Sequence, residues 1–154
     1  MPDRPDIETR EHCEALVRAF YGRALTDPVI GFLFTDVARM DLEEHVPRIT
    51  NFWETMLLGE RSYGGGAFRP HLELNMQVRL TAGHFDRWLF LWRASVHELF
   101  SGARAELAIA HAERVAGAFV RRLEALNATP QNELVGAGAF ELPLVQHYPA
   151  GESQ

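Results

Sequence analysis

The chain has 154 residues and a net charge of −6, with 47% apolar and 23% charged residues. This length and composition fit one globular domain, so a wholly disordered chain and a coiled coil are excluded. All 15 basic residues are arginines, which excludes chemistry that needs a lysine, and an acidic chain without a basic run argues against nucleic acid and anionic membranes as partners. The single cysteine, Cys13, excludes an internal disulfide and a cysteine-based zinc site.

The sequence also bears on the cellular compartment. The longest apolar run, residues 88–92, is too short to cross a bilayer. The first residues are acidic and include prolines, unlike a signal peptide. We therefore expect a cytoplasmic protein.

Apolar residues recur at spacings of three and four along most of the chain, the pattern of amphipathic helices. No segment shows the alternation that is typical of a strand. The predicted elements, in chain order, are a helix over 7–25, a short helical turn over 30–34, and helices over 41–58, 81–100 and 103–126.

The predicted helix over 41–58 has clear signals at both ends. Asp41 and Glu44 have the spacing of a capping box, and Gly59 is suited to end the helix. Pro47 lies beyond the first turn, where its missing N–H is costly. We therefore expect Pro47 to kink this helix or to shift its start.

The sequence between the second and third long helices, residues 59–80, is predicted to be a largely irregular connector. It contains three consecutive glycines, and a short helical piece that carries His71 is predicted from Pro70. A connector of this length needs a reason to stay ordered, which a bound ligand would supply. Because the helical periodicity stops at Asn127, we expect a domain over 1–126 and a partly flexible C-terminal tail over 127–154.

Four side chains with polar tips fall on or beside apolar positions of the predicted elements: Tyr21, His45, His71 and Trp88. A buried polar group needs a partner. One interpretation is four core residues with local partners, and the other is four groups that converge on one apolar pocket. A different hypothesis, a non-haem metal site in a helical bundle, would use His84, His97 and His111, although their spacing is not that of di-iron bundles.

Several short blocks make a specific combination through their order and spacing: Phe20-Tyr21, Glu44-His45, Asn51-Phe52-Trp53, Tyr63-Gly64, His71-Leu72 and Phe85-Asp86-Arg87-Trp88-Leu89. In this arrangement, residues 12–126 resemble a truncated haemoglobin of group III. The resemblance implies an all-α, two-over-two helical sandwich, the truncated globin fold, that binds haem b and its iron.

The resemblance also implies roles for individual residues. His71 matches the proximal iron ligand, and Tyr21, His45 and Trp88 match the distal residues that face a bound diatomic ligand. The remaining cofactor-binding residues that we expect are the apolar walls and the partners of the haem propionates. The walls are Phe34, Phe52, Trp53, Met56, Phe85 and Trp88, and the propionate partners are Tyr63, Arg69 and Arg79.

The function implied by the resemblance is the binding of dioxygen, nitric oxide and carbon monoxide. Three donors over the iron predict slow ligand release, which favours redox or detoxification chemistry of nitric oxide or peroxide over oxygen transport. Nitric oxide dioxygenase or peroxidase-like activity would need an external reductase, since the sequence has no nicotinamide or flavin fingerprint. A monomer or weak dimer is expected. The alternative within the family is a haem-based sensor or interaction module that signals through the tail.

Overall fold

The computed structural model describes residues 3–128, which form five α-helices and one π-helical turn. The helices are α1 (Arg10–Ala24), α2 (Leu42–Leu58), α3 (Phe68–Gln77), α4 (Ala82–Leu99) and α5 (Ala103–Ala128), and the π-helical turn is Leu33–Val37. No strand occurs within these residues, and no helix among them is long and apolar enough to cross a bilayer. Of the predicted tail, Asn127 and Ala128 continue α5, and the remainder lies outside the described residues.

The helices pack as two crossed pairs. Helix α1 packs against α2 and α4, while α5 packs against α4 and makes smaller contacts with α2 and α3. A row of small residues on α5, which includes Ala108 and Ala112, is fully buried and lets α4 approach closely. The indole N–H of Trp92 donates to the Ala108 carbonyl oxygen at 3.2 Å, so the largest core side chain has its polar atom satisfied. The predicted all-α fold is confirmed within these residues.

Helix α2 begins where its capping signal predicts. The Asp41 carboxylate accepts the backbone N–H groups of Glu43 and Glu44, and Gly59 ends the helix with a φ of 77°. Pro47 lies inside the helix, and the expected shift of its start does not occur. The missing N–H costs one intrahelical hydrogen bond, and the Pro47 ring lies on the exposed side of α2.

The start of α1 differs from the prediction, because residues 6 and 7 contact α5. The Asp6 carboxylate accepts the backbone N–H groups of Arg104 at 3.0 Å and Ala105 at 2.9 Å, which caps α5 from a distant part of the chain. Burial alone would raise the pKa of Asp6, but these backbone hydrogen bonds outweigh it and lower the pKa. A Cβ at Gly102 would lie 2.6 Å from Asp6, so this contact requires glycine.

The connector after α2 is more regular than predicted. Residues 68–77 form α3, which starts two residues before Pro70, and a proline in the first turn gives up an N–H that has no intrahelical partner. The Tyr63 N–H donates to Thr55 Oγ1 at 3.0 Å, and the Ser62 hydroxyl donates to Glu54 Oε1 at 2.8 Å. The connector is therefore held against α2 by the protein's own hydrogen bonds, without the need for a ligand.

A buried ion pair joins the corner after α1 to α4. One carboxylate oxygen of Asp27 accepts Nε and Nη2 of Arg87 at 2.9 and 2.6 Å, and the other accepts the N–H groups of Val29 and Ile30. The Arg87 guanidinium lowers the pKa of Asp27 below its ordinary value of 3.8. This ion pair holds the corner between α1 and the π-helical turn against α4. Tyr21 lies on α1 and Trp88 on α4, so the pair helps to set their relative positions.

Replacement of Asp27 by asparagine is expected to destabilise the fold in a pH-dependent way. Loss of one partner of a buried pair is costly, but the Arg87 side chain is 33% exposed and stays hydrated, so we expect a loss of about 2 kcal/mol. The lowered pKa of Asp27 means that its contribution is present above pH 3.8 and is lost as the pH falls below this value.

Urea denaturation at neutral pH and in acid measures this difference. The gap between wild type and Asp27→Asn should narrow in acid, and Asp86→Asn, at the exposed neighbour of Arg87, should match wild type. A gap that is the same at both pH values would contradict the assignment.

Candidate functional site

His71 lies on α3 with its ring between two aromatic side chains. The ring centroid is 4.8 Å from that of Phe119 on α5 and 6.1 Å from that of Phe85 on α4. Nδ1 lies 2.8 Å from the Ala67 carbonyl oxygen. Because a carbonyl oxygen only accepts, Nδ1 carries the proton, and the neutral ring presents its lone pair at Nε2. Burial lowers the pKa of His71 and so favours this neutral form.

Tyr21 lies in a second cluster, built by α1, α2 and the π-helical turn. Its ring centroid is 5.6 Å from that of His45 and 5.7 Å from that of Phe34. The side chain is 5% exposed, and burial raises the pKa of Tyr21, so the phenol stays protonated and remains a donor. Within residues 3–128, the Tyr21 hydroxyl has no hydrogen-bond partner.

His45 lies on α2 and belongs to the cluster around Tyr21. Burial, together with the charges of Arg48 and His71, lowers the pKa of His45 to about 4. Pro47, two residues later, does not turn His45 away from Tyr21, and His45 is half-buried and neutral at neutral pH.

Trp88 lies beside these groups on α4. It is half-buried, its ring meets that of Phe20 edge-on at 6.0 Å, and it is stacked on Trp92 at 6.1 Å. Trp92 is in turn stacked on Trp53, which is also buried. Two of the predicted wall residues, Trp53 and Phe85, are therefore part of the closed core, whereas Trp88 is partly open.

The other predicted wall residues differ in exposure. Phe34 and Phe52 are half-buried, whereas Met56 is 37% exposed on α2 and so is the least enclosed of the set. The Phe52 ring contacts that of Tyr63 at 5.2 Å. Phe34, Phe52 and Trp88 are each half-buried, so each leaves part of an aromatic ring uncovered and able to contact a flat apolar group.

The predicted propionate partners are placed differently from one another. Arg69 is on the exposed side of α3 and pairs with Glu73 at 3.3 Å, while Arg79 is exposed in the loop that follows α3. Tyr63 is half-buried in the connector. Of these three side chains, Tyr63 contacts another predicted pocket residue, Phe52, and Arg69 pairs with Glu73 instead.

Two participants were not predicted. Phe119 belongs to the apolar stripe of α5, which gives no sign that it contacts a histidine 48 positions earlier in the chain. Ala67 acts through its backbone carbonyl, and no sequence signal distinguishes such an atom. Both depend on how α3 packs against the rest of the domain.

The alternative metal site is not formed. His84 accepts the Thr81 N–H at the start of α4, His97 is exposed near the end of α4, and the His111 ring lies beside Phe52 and Trp53. In the part of the chain that the structure describes, no three histidine, cysteine or acidic side chains are grouped to hold a metal ion. The hypothesis of a non-haem site at these histidines is therefore wrong.

The chemistry of the pocket residues fits haem. A neutral histidine whose second nitrogen donates to a carbonyl is the usual arrangement of a single protein ligand to haem iron. The side chain of Tyr21 is 5% exposed and its hydroxyl has no hydrogen-bond partner in residues 3–128, so it is available to a ligand, and the partly open aromatic rings suit the face of a macrocycle. The observation that decides the fit is the orientation of His71 by Ala67.

Comparison with known proteins agrees with this reading. No family model matches the chain. A group 3 truncated hemoglobin of Campylobacter jejuni is 29% identical over 117 residues, which cover 74% of this chain and 90% of that protein. The crystal structure of a group III truncated hemoglobin from Campylobacter jejuni matches with a TM-score of 0.66 and 28% identity, over 77% of this chain and 94% of that one. The predicted resemblance and the predicted two-over-two truncated globin fold are confirmed: the chain is similar, in sequence and in fold, to the truncated haemoglobins of group III.

Proposed function

We propose that this chain binds haem b, with His71 as its iron ligand, and that it binds diatomic ligands there. The observation that carries the proposal is the 2.8 Å contact between His71 Nδ1 and the Ala67 carbonyl oxygen. It fixes the tautomer in which Nε2 can bind a metal, and it makes that nitrogen a better ligand. When bound, haem supplies an iron with an open coordination position for dioxygen, nitric oxide or carbon monoxide.

The distal residues would recognise the ligand as neutral donors. The raised pKa of Tyr21 keeps its hydroxyl protonated, and the indole N–H of Trp88 is a donor at every pH. The lowered pKa of His45 leaves a neutral imidazole, which is a donor or an acceptor according to its tautomer. Such groups stabilise a partly anionic ligand through hydrogen bonds without bringing a net charge into the apolar pocket.

The remaining predicted residues would seat the macrocycle. Phe34 and Phe52 would cover its faces and edges and exclude water, and Met56 would contribute only at the rim. Arg69 and Arg79 would pair with the propionates, as would the Tyr63 hydroxyl, and Arg69 would have to exchange its bond to Glu73 for this purpose. The globin domain would end with α5 at Ala128, two residues beyond the predicted boundary, and the residues that follow would be a separate tail.

We favour redox or detoxification chemistry of nitric oxide or peroxide over oxygen transport. The support is the number of donors on the distal side, since each hydrogen bond to an anionic ligand slows its release. Turnover would need electrons from an external reductase. The setting that we propose is a cytoplasmic monomer or weak dimer.

The first test replaces the proposed iron ligand. His71→Ala should lose most of its haem, because the variant lacks the bond between protein and iron. The Soret absorbance per mole of purified protein measures this loss. His97→Ala, at an exposed histidine of α4, is the matched control and should retain haem like wild type. An unchanged Soret band in His71→Ala would rule out His71 as the ligand.

The second test removes the distal hydroxyl. Tyr21→Phe should speed dioxygen release by about 10- to 100-fold, since a hydrogen bond to a charged group contributes about 1.5–3 kcal/mol. Carbon monoxide carries little charge, so its release should change much less. Stopped-flow displacement measures both rates, and Tyr148→Phe, in the proposed tail, serves as the control. Equal effects on the two ligands would show that Tyr21 acts through packing rather than donation.

A further inference from the structure

The three tryptophans of the sequence form one continuous stack in the core. The rings of Trp88 and Trp92 are 6.1 Å apart between centroids and 10° from parallel. The rings of Trp92 and Trp53 are 4.5 Å apart and 23° from parallel. Core packing does not require that the three indole rings form a continuous row. We therefore consider a chemical role for this row.

The stack leads from Trp88 on α4 to α2 and, through Phe52, to Tyr63 in the connector that follows α2. At one end, Trp88 is half-buried beside Phe20, whose ring also contacts that of Tyr21. At the other end, the Trp53 ring is 5.1 Å from that of Phe52, which is 5.2 Å from that of Tyr63. Trp92 and Trp53 are 1% and 3% exposed, so only the ends of this series reach solvent or ligand.

Indole and phenol are the side chains that give up a single electron most readily after cysteine, and the benzyl ring of phenylalanine resists oxidation. Because electron transfer slows steeply with distance, rings in contact exchange electrons much faster than separated ones. The series Trp88, Trp92, Trp53 and Tyr63 therefore contains four oxidisable groups, with one phenylalanine between the last two.

The surroundings of these rings give the series a direction. The Trp92 N–H donates to the Ala108 carbonyl, which is too weak a base to take the proton. An oxidised Trp92 therefore keeps its positive charge and remains a strong oxidant of its neighbours. Tyr63 is half-buried in the connector, and a phenol that gives up an electron also gives up its proton and becomes a neutral radical. The one-electron oxidised state is therefore more stable on Tyr63 than on Trp92.

We propose that Trp88, Trp92, Trp53 and Tyr63 form a one-electron relay, through which a phenolic donor at the surface supplies electrons for peroxide reduction in the pocket. The inference rests on the haem-binding function proposed above. Reduction of one hydrogen peroxide to two water molecules takes two electrons and two protons. Each electron leaves Tyr63, which releases its phenol proton to solvent and becomes a neutral radical. A phenol from solution then gives Tyr63 a hydrogen atom, so one peroxide consumes two phenols and yields two phenoxyl radicals.

The test follows where the radical forms in the full chain as purified. Hydrogen peroxide is added with a nitroso spin trap, and the adducts are mapped by peptide mass spectrometry. Wild type should carry adduct at Tyr63. Trp92→Phe should lose most of the Tyr63 adduct and gain adduct or oxidation at Trp88, because the middle of the relay is no longer oxidisable. Trp92→Tyr restores an oxidisable ring and should recover part of the Tyr63 adduct.

A purely structural role of Trp92 predicts a different result. Phe20→Leu disturbs the same core beside Trp88 and Trp92 without removing an oxidisable group, and it should keep the Tyr63 adduct. The Soret band of every variant, with and without carbon monoxide, is recorded on the same sample. Normal spectra together with an unchanged Tyr63 adduct in Trp92→Phe would overturn the relay and leave the haem function standing.

A second measurement does not depend on haem. Azide radicals, made by pulse radiolysis, oxidise accessible indoles, and Trp88 is the least buried of the three. In the full chain, the tryptophanyl absorption should decay as the tyrosyl absorption rises, at a rate independent of protein concentration. Both Trp92→Phe and Tyr63→Phe should slow or abolish this transfer. If wild type shows no Soret band, the haem function fails, and the transfer kinetics alone decide the relay.

Discussion

The hydrogen bond from His71 Nδ1 to the Ala67 carbonyl oxygen fixes which ring nitrogen is free, and the candidate site depends on it. The helix that carries His71 is only ten residues long and has no side-chain cap, so local propensity alone would not hold it. Its position comes from tertiary contacts: Phe68 packs on Phe119, and the Asn75 side-chain amide bonds to Asn127 at 2.9 Å. The orientation of one imidazole thus rests on the way α3 sits against α5.

The opposite side of the site depends on a brace between helices. Tyr21, Phe34 and Trp88 come from α1, the π-helical turn and α4, and the Asp27–Arg87 pair joins these elements. At the corner itself, a Cβ at Gly31 would lie 2.9 Å from the Leu25 carbonyl oxygen, so the turn folds tightly under the end of α1. Burial then keeps the phenol and imidazole groups neutral, which suits a pocket for small uncharged ligands.

The sequence predicted those parts of the fold that local signals determine. Asp41 and Gly59 mark the ends of α2 because capping and a left-handed terminus are properties of the adjacent backbone. The predicted start of α1 at residue 7 was wrong because Asp6 and Ile7 form long-range hydrogen bonds with the start of α5 instead. The sequence predicts only a short helical piece from Pro70, because the start of α3 has no capping side chain and its order depends on the rest of the domain.

The residues of the candidate site also divide into those that local sequence signals identify and those that depend on long-range packing. Tyr21, His45, His71 and Trp88 were identifiable because a polar tip at an apolar position is visible in the sequence. Their convergence on one pocket is what the resemblance implies. The structure places Tyr21 against His45, whereas the contacts of His71 are with Phe85 and Phe119. Ala67 and Phe119 were not identifiable, since one acts through a carbonyl and the other through packing between distant helices. Met56 follows the apolar periodicity of α2, but periodicity does not measure how far a side chain is covered, and Met56 is 37% exposed.

The most direct test of the central claim is the absorption spectrum of the purified full chain, as isolated, after reduction and after addition of carbon monoxide. We predict a Soret band that shifts on reduction and again with carbon monoxide, which would establish a bound haem with an accessible coordination position. The absence of a Soret band, even after hemin is added, would contradict the account.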